Sequence, residues 1–436
     1  MRWCLSAPAT ARRGYANSAE YSPTKVEKIL SDSIKATGPI SFATYMQMCL
    51  SHPTDGYYMN PSNPILGSRG DFITSPEISQ VFGEHLRRSR RIRLVELGPG
   101  RGTLMEDVLR VLSQFPAARS VVEDIHLVET SAAMQSAQGA KLFPMVRKNG
   151  WNLTWHSSVD DIRQDAEKYT LILAHEFFDA LPFHLLQKTN HGWQEVLITL
   201  GFDPTSPTVI KASAGAPATA SPDFSSTAQP ASLRPQFRRV LAPSPTAYSK
   251  ILGMSSNRFQ NLPIGAQIEI SPAAFKIARK IGELVHESSG TMEAGSSGSA
   301  LIIDYGGEKA YGSSFRAFKD HKIVDVFHRP GDCDLTVNVD FTYLKEATAD
   351  LAMPHGPLPQ ATFLRRMGIE TRVNALKSAA KSDERRRAME LAGNRLVDPT
   401  GMGTQYQVMG LTGLRKSEPT AEERWPFVAL EGLPGA

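Results

Sequence analysis

Short apolar runs separated by amphipathic stretches dominate the chain from residue 93 onward. Arg93-Leu-Val-Glu-Leu97, Ile125-His-Leu-Val-Glu129, residues 152–155, Tyr169-Thr-Leu-Ile-Leu-Ala174 and Ser299-Ala-Leu-Ile-Ile-Asp304 have the length and near-continuous apolar character of strands buried on both faces. Residues 321–326 continue the series, and 405–412 would close the sheet. Helical spacing occupies 103–114, 131–139, 158–167 and 272–287 between them. Strands alternating with helices predict an α/β, doubly wound and mostly parallel sheet covered on both sides. Ahead of it, residues 25–36 read as one helix. Ser41 caps a second helix that buries Phe42, Tyr45, Met46 and Cys49 on one face,.

Three stretches break the pattern. Gly56 to Gly70 is a Gly/Pro/Asn-rich loop. Residues 183–262 carry strand-like pieces at 183–188 and 193–198, then a Pro/Ala/Ser/Thr-rich tract from about Asp203 to Pro235. That tract has too few large apolar residues to pack and reads as a mobile insertion; 288–298 is a shorter loop of the same kind. The predicted organisation is a leader at 1–20, a helical region with a covering loop at 21–92, two core halves at 93–182 and 263–415, the inserted subdomain at 183–262 between them, and a tail at 416–436.

Composition narrows the function classes. Of 436 residues, 41% are hydrophobic and 21% charged, and the formal net charge is +4, which argues against a nucleic-acid surface. Cys4, Cys49 and Cys333 are scattered without a CxxC pair, so neither a disulfide framework nor a metal site is expected. The longest apolar runs, such as Leu171–Ala174, fall far short of the roughly 20 residues of a membrane span. Arg2, Arg12 and Arg13 stand among Ser, Ala and Thr, and the first acid is Glu20. This is the composition of a mitochondrial transit peptide, with cleavage expected just after Arg13; a frayed terminus without function is the lesser alternative.

The chemistry gathers at predicted strand tips. Glu96-Leu-Gly98-Pro-Gly100-Arg-Gly102-Thr103 follows the first strand directly and opens a helix. Its glycines permit a sharp turn and close ligand approach, and the amides of the helix start point at the bound group. The spacing is ExGxGxG rather than the GxGxxG of dinucleotide sites. An acid at its head suits an ammonium-bearing ligand such as the methionyl end of S-adenosyl-L-methionine better than a pyrophosphate. Glu129 ends the next strand, 27 positions beyond Gly102, where a carboxylate accepts from both ribose hydroxyls; it also reads as a cap for the helix starting near Ser131. Ser157 and Asp160 follow the third strand, either beside an adenine or as simple caps. His175-Glu176-Phe177-Phe178-Asp179-Ala180-Leu181-Pro182 ends the fourth. Glu176 and Asp179 beside two rings suit a guanidinium or ammonium guest, although Asp179 as a cap and the two Phe as core also fit. In Gly70–Ser79, Ser75 caps, Pro76 stands first in the helix and Glu77 lies in its first turn,.

Taken in order, GDFITSPEIS, ELGPGRGTL, HEFFDALP, LIIDYG and PGDCDLTVNVDF resemble the family of mitochondrial complex I assembly-factor arginine methyltransferases and their bacterial relatives, over about residues 25 to 415. The resemblance implies a class I methyltransferase-like fold with an inserted subdomain, S-adenosyl-L-methionine as cofactor, and symmetric dimethylation of an arginine in a matrix-side core subunit of respiratory complex I. It further implies that Gly98, Gly100 and Gly102 line the methionyl end, that Glu129 holds the ribose, that Thr74, Ser75 and Glu77 belong to a loop closing over the cofactor, and that Glu176 and Asp179 are the acids beside the transferred methyl. Three departures stand out: His175 where the family has Asn, Asn338 where it has His, and a segment between Gly83 and Arg93 shorter by roughly four helical turns. The last would thin the layer against the sheet. A non-catalytic assembly chaperone that keeps the fold is therefore the alternative, ahead of a nicotinamide-dependent oxidoreductase and a nucleic-acid methyltransferase.

Overall fold

A computed structural model describes residues 22–60, 91–201, 236–286, 298–414, 420–421 and 424–428. The central sheet is built from β1 (Arg91–Leu97), β2 (Val122–Val128), β3 (Asn152–His156), β4 (Lys168–His175), β5 (Gly298–Gly307), β6 (Ala352–Pro359) and β7 (Tyr406–Gly413). Their spatial order is β3-β2-β1-β4-β5-β7-β6. The pairs β1–β2, β1–β4, β2–β3 and β4–β5 are parallel, and β7 is antiparallel to both β5 and β6. The chain starts at the middle of this sheet and winds outward in both directions, so β1 and β4 flank the point where strand order reverses. In open α/β sheets that crevice, at the carboxyl ends of the strands, is where ligands bind.

Alternating side chains feed two cores, as sheet geometry requires. Leu94, Ile125 and Leu127 pack on one face with Leu109 of helix α3 (Thr103–Leu112) and Leu142 of helix α4 (Ala132–Asn149). Val95, Leu97, Ile172 and Ile302 pack on the other with Ala278, Ile281 and Leu284 of helix α5 (Pro272–Val285). Helices on both faces bear out the doubly wound reading.

A second sheet lies outside this layer. Strands His184–Thr189 and Gly192–Gly201 form a hairpin, joined by Gln267–Ile270, Gln236–Leu241 and the two-residue strand Ile40–Ser41. The N-terminal helices, α1 (Lys25–Thr37) and α2 (Phe42–Ser51), pack on it: Phe42 meets Phe183 with ring centroids 5.5 Å apart, and Tyr45 meets Phe237 at 5.9 Å. Ser41 does cap the second helix, accepting from the Thr44 amide, and Phe42, Tyr45, Met46 and Cys49 are all buried. The helical region and the inserted strands thus share one core.

Several boundaries differ from the sequence reading. The strand expected at 321–326 is only Lys322–Val324 and belongs to a separate three-stranded sheet with Arg316–Lys319 and Asp334–Thr336. No helix forms over 158–167; Ser158 caps a single 3-10 turn, Val159–Asp161. The helix expected at 131–139 runs on to Asn149 with Pro144 inside it. β7 does not close the sheet, because β6 lies outside it. The β6 sequence, Ala-Met-Pro-His-Gly-Pro-Leu-Pro, carries three prolines, and only an edge strand with one free row of amides accommodates them. The Pro/Ala/Ser/Thr tract, the loop at 288–298 apart from Gly298, and most of the shortened segment before Arg93 lie outside the described residues.

Candidate functional site

The tips of β1, β2, β3 and β4 open on a cavity of about 790 Å³. Its walls include Glu96, Gly98, Gly100, Glu129, Ser157, His175, Glu176 and Asp179, with Ser51, Tyr58 and Met59 contributed by the N-terminal region. Five strand-tip readings therefore converge in one place: the glycine loop, Glu129, Ser157, Glu176 and Asp179. Asp160 turns away and pairs with Lys276. Thr74, Ser75 and Glu77 lie outside the described residues.

The glycine loop needs its glycines. Gly98, Gly100 and Gly102 all have positive φ, at 62°, 51° and 72°, where a Cβ is strained. A Cβ on Gly98 would also stand 2.9 Å from the Phe177 ring, and one on Gly102 3.3 Å from the Gln138 side chain. Gly102 is the N-cap of α3, so that helix offers its first amides to the loop without a capping side chain,.

Glu96 points into this region from β1 and is 3% exposed. Burial raises its pKa to about 8, and its Oε2 has no hydrogen-bond partner among the described residues. A buried carboxylate left unsatisfied beside open space fits a ligand that brings its own cation. Glu129 is held differently. It accepts from the Ser131 amide at 2.8 Å and from Gln138 Nε2 at 3.3 Å. Ser131 is the N-cap of α4, and Glu129, by accepting from the Ser131 amide, also braces the start of that helix.

Gln138 is a residue that sequence reasoning missed. It is fully buried. Its amide nitrogen donates to the Gly100 carbonyl at 2.6 Å as well as to Glu129, and its oxygen accepts from Trp155 Nε1 at 2.7 Å. One side chain thereby ties the glycine loop, the β2 tip and the β3 tip together.

The fourth tip is organised by a second missed residue, Asp304, three residues before the end of β5. Its Oδ2 accepts from the amides of Phe177, Phe178 and Asp179 at 3.1, 2.9 and 3.3 Å, and its Oδ1 from the Tyr305 amide at 2.9 Å. This anchored turn carries Glu176 at φ 48°, a conformation that costs a residue with a Cβ and recurs at functional sites. Glu176 Oε1 accepts from the Tyr406 hydroxyl at 2.6 Å, and Asp179 Oδ2 from the Thr336 hydroxyl at 2.6 Å. Burial, reinforced by the Asp179 charge, raises the Glu176 pKa to about 8; burial raises that of Asp179 to about 6. Asp334, buried and bonded to the Tyr58 hydroxyl at 2.7 Å, adds a further acid to the same region. Arg316 faces the group; it bonds Asn338 Oδ1 at 2.7 Å and stacks 5.1 Å from the Tyr305 ring centre. Asn338 thus orients the cation of the cluster. Asp179 is no helix cap, but Phe178 does pack in the core. Asp304 was legible by the strand-tip rule in Leu-Ile-Ile-Asp; Gln138 and Tyr406 carried no local signal.

This arrangement is a strand-tip cavity lined by acids and a glycine loop on a doubly wound sheet, the architecture of nucleotide- and cofactor-binding enzymes. Residues 78–357 match the S-adenosyl-L-methionine-dependent methyltransferase family model. The chain is 34% identical to "Protein arginine methyltransferase NDUFAF7, mitochondrial" of Danio rerio, covering 87% of this chain and 85% of the relative. It is 33% identical to the Homo sapiens protein of that name, covering 90% and 84%, and 35% identical to the Drosophila melanogaster homolog, covering 91% and 86%. A Burkholderia thailandensis protein solved bound to S-adenosyl-homocysteine shares the fold, with a TM-score of 0.64 at 22% identity over 89% of this chain and 91% of that one. The chain belongs to the S-adenosyl-L-methionine-dependent methyltransferases, within the branch of these mitochondrial relatives. It is a mitochondrial enzyme of methyl transfer that uses S-adenosyl-L-methionine. Among the described residues no group of His, Cys, Asp and Glu is placed to hold a metal ion, and no helix is long and apolar enough to cross a membrane.

Proposed function

We propose that this enzyme methylates an arginine side chain of a protein, symmetrically and on both terminal nitrogens, in a matrix-side core subunit of respiratory complex I during its assembly. One observation carries the reading: a buried acid, Asp179, and a half-buried one, Glu176, stand in the same cavity as the glycine loop and Glu129. When bound, the cofactor supplies a methyl group on a sulfonium. In this reading Glu96 holds the ammonium of its methionyl end, Gly98, Gly100 and Gly102 admit its chain, and Glu129 receives the ribose hydroxyls. Glu176 and Asp179 receive the guanidinium. Glu176, its pKa raised to about 8, gives up its proton as a cation enters, while Asp179, at about 6, is largely ionised already; the cation gains two charge-assisted contacts in a dry site. Fixing the guanidinium in a defined plane supplies most of what methyl transfer needs from a protein, which is positioning. One acid accepts the proton that the nitrogen loses on methylation.

The test is transfer of radiolabelled methyl from S-adenosyl-L-methionine to isolated matrix-side complex I subunits, with mass-spectrometric identification of the product. Symmetric dimethylarginine formed by the parent chain and lost in Glu176→Gln supports the proposal. Cofactor binding without any methylated subunit would instead support an assembly chaperone that keeps the fold.

A further inference from the structure

His175 is the last residue of β4, and nothing above uses it. Register places it deliberately. Glu96 on β1 pairs with Leu173 and Leu97 with Ala174, so His175, two residues beyond Leu173, shares the sheet face of Glu96. Both residues line the cavity, both are buried, at 7% and 3% exposed, and each holds one polar atom without a partner among the described residues: His175 Nε2 and Glu96 Oε2. Buried side-chain polar atoms are nearly always hydrogen-bonded. Two orphans on adjacent strands, facing one cavity, therefore point to one missing donor group. The His175 ring is held in place by stacking on Tyr406, 6.3 Å between centroids and 13° between planes, so it cannot swing elsewhere to satisfy itself without losing that contact.

The chemistry of the missing group follows from the two atoms. Glu96 in the ionised form that a bound cation requires accepts only. An imidazole whose pKa burial lowers to about 4 is neutral at working pH and can present a lone pair. An ammonium offers three donors to such a pair of acceptors, while a carboxylate or phosphate would be repelled by Glu96.

We propose that His175 is a positioning residue for the cofactor, its neutral Nε2 accepting from the same α-ammonium that Glu96 binds. The assignment rests on the cofactor reading above. It predicts how the site discriminates, because ligands without an amino-acid end gain nothing from either residue.

The experiment is calorimetric titration of the full chain with S-adenosyl-homocysteine and, separately, with 5′-methylthioadenosine, which lacks the amino-acid end. Parent, His175→Ala and His175→Asn are compared, with circular dichroism confirming the fold of each. His175→Ala is expected to weaken S-adenosyl-homocysteine about tenfold, the weight of one hydrogen bond to a charged group, and to leave methylthioadenosine within about twofold. His175→Asn is expected to recover most of the loss. Equal weakening of both ligands, or none of either, would overturn the assignment. A folded parent that binds neither ligand would overturn the cofactor reading itself, and this inference with it.

Discussion

Asp304→Asn tests whether the turn bearing Glu176 and Asp179 depends on a buried charge. Two effects oppose each other at this carboxyl. Burial and the nearby Asp179 and Glu176 push its pKa well up, which favours a neutral acid. Yet its surroundings are donors: four backbone N–H groups aim at its two oxygens at 2.9 to 3.3 Å. A proton on either oxygen would face one of those N–H groups. We take the carboxyl as ionised for that reason. Asparagine then keeps the shape but turns one acceptor into a donor. The less costly orientation leaves the carbonyl on the three amides of the loop and sets NH2 against the Tyr305 amide. One hydrogen bond to a charged group becomes a donor–donor contact, and three others are weakened from charged to neutral. At about 1–3 kcal/mol for the unsatisfied donor and several tenths for each weakened bond, the loss should be about 2–4 kcal/mol. Urea unfolding followed by far-UV circular dichroism reads it at constant slope. Methyl transfer should fall further than stability alone explains, since the turn holds Glu176 at φ 48°. A variant within about 0.5 kcal/mol of the parent would refute the reasoning, because asparagine mimics only a carboxyl that was neutral all along.

Other perturbations follow from the same geometry. Gly98→Ala sets a Cβ 2.9 Å from the Phe177 ring at φ 62°; S-adenosyl-homocysteine affinity should drop at least tenfold by calorimetry while the fold persists. Gln138→Leu removes three hydrogen bonds that join the glycine loop, Glu129 and Trp155, and should cost about 2–4 kcal/mol in urea unfolding, with a shifted Trp emission. Tyr406→Phe removes the donor that lowers the Glu176 pKa, so the acidic limb of the rate profile should move to higher pH, and a downward shift would contradict the assignment.

The sheet was legible because its chemistry is repetitive. Apolar runs of strand length recur between helical stretches, and each tip carries a residue of distinct type. What escaped was decided at long range. β6 contains Pro354, Pro357 and Pro359, which locally deny a strand; only its edge position beside β7 permits one. The expected helix at 158–167 has its cap in Ser158, but the chain turns after Asp161 to enter β4. Tyr406 reaches Glu176 across 230 residues of sequence, and nothing near either residue announces the bond. Asp304 was readable in principle, since it closes the apolar run of its strand as Glu129 and His175 close theirs; its partners are backbone amides, which no side-chain pattern reveals.

The concentration of unneutralised acid at the site makes a statement about pH that binding should reverse. Glu96 is the cleanest case, being buried and without an ion-pair partner among the described residues. Its pKa rises from the ordinary glutamate range to about 8 in the folded chain. For a group raised on folding, stability is complete below the unfolded pKa and is lost as pH climbs toward the folded one. The free protein should therefore weaken between about pH 4.5 and 8, by on the order of 3–5 kcal/mol from this group alone, and Glu176 adds to the same trend. A ligand ammonium changes the sign of the argument, because it needs the ionised form. Below about pH 8, binding must release a proton, so S-adenosyl-homocysteine affinity should rise several-fold to about tenfold per pH unit up to that point and then flatten. Methylthioadenosine, which brings no ammonium, should show no such slope, and Glu96→Gln should abolish it for S-adenosyl-homocysteine. Calorimetry in two buffers of different ionisation enthalpy counts the proton directly. A slope that survives in Glu96→Gln would move the ammonium to another acid, whereas a flat profile in the parent would mean that Glu96 is already ionised before any ligand arrives.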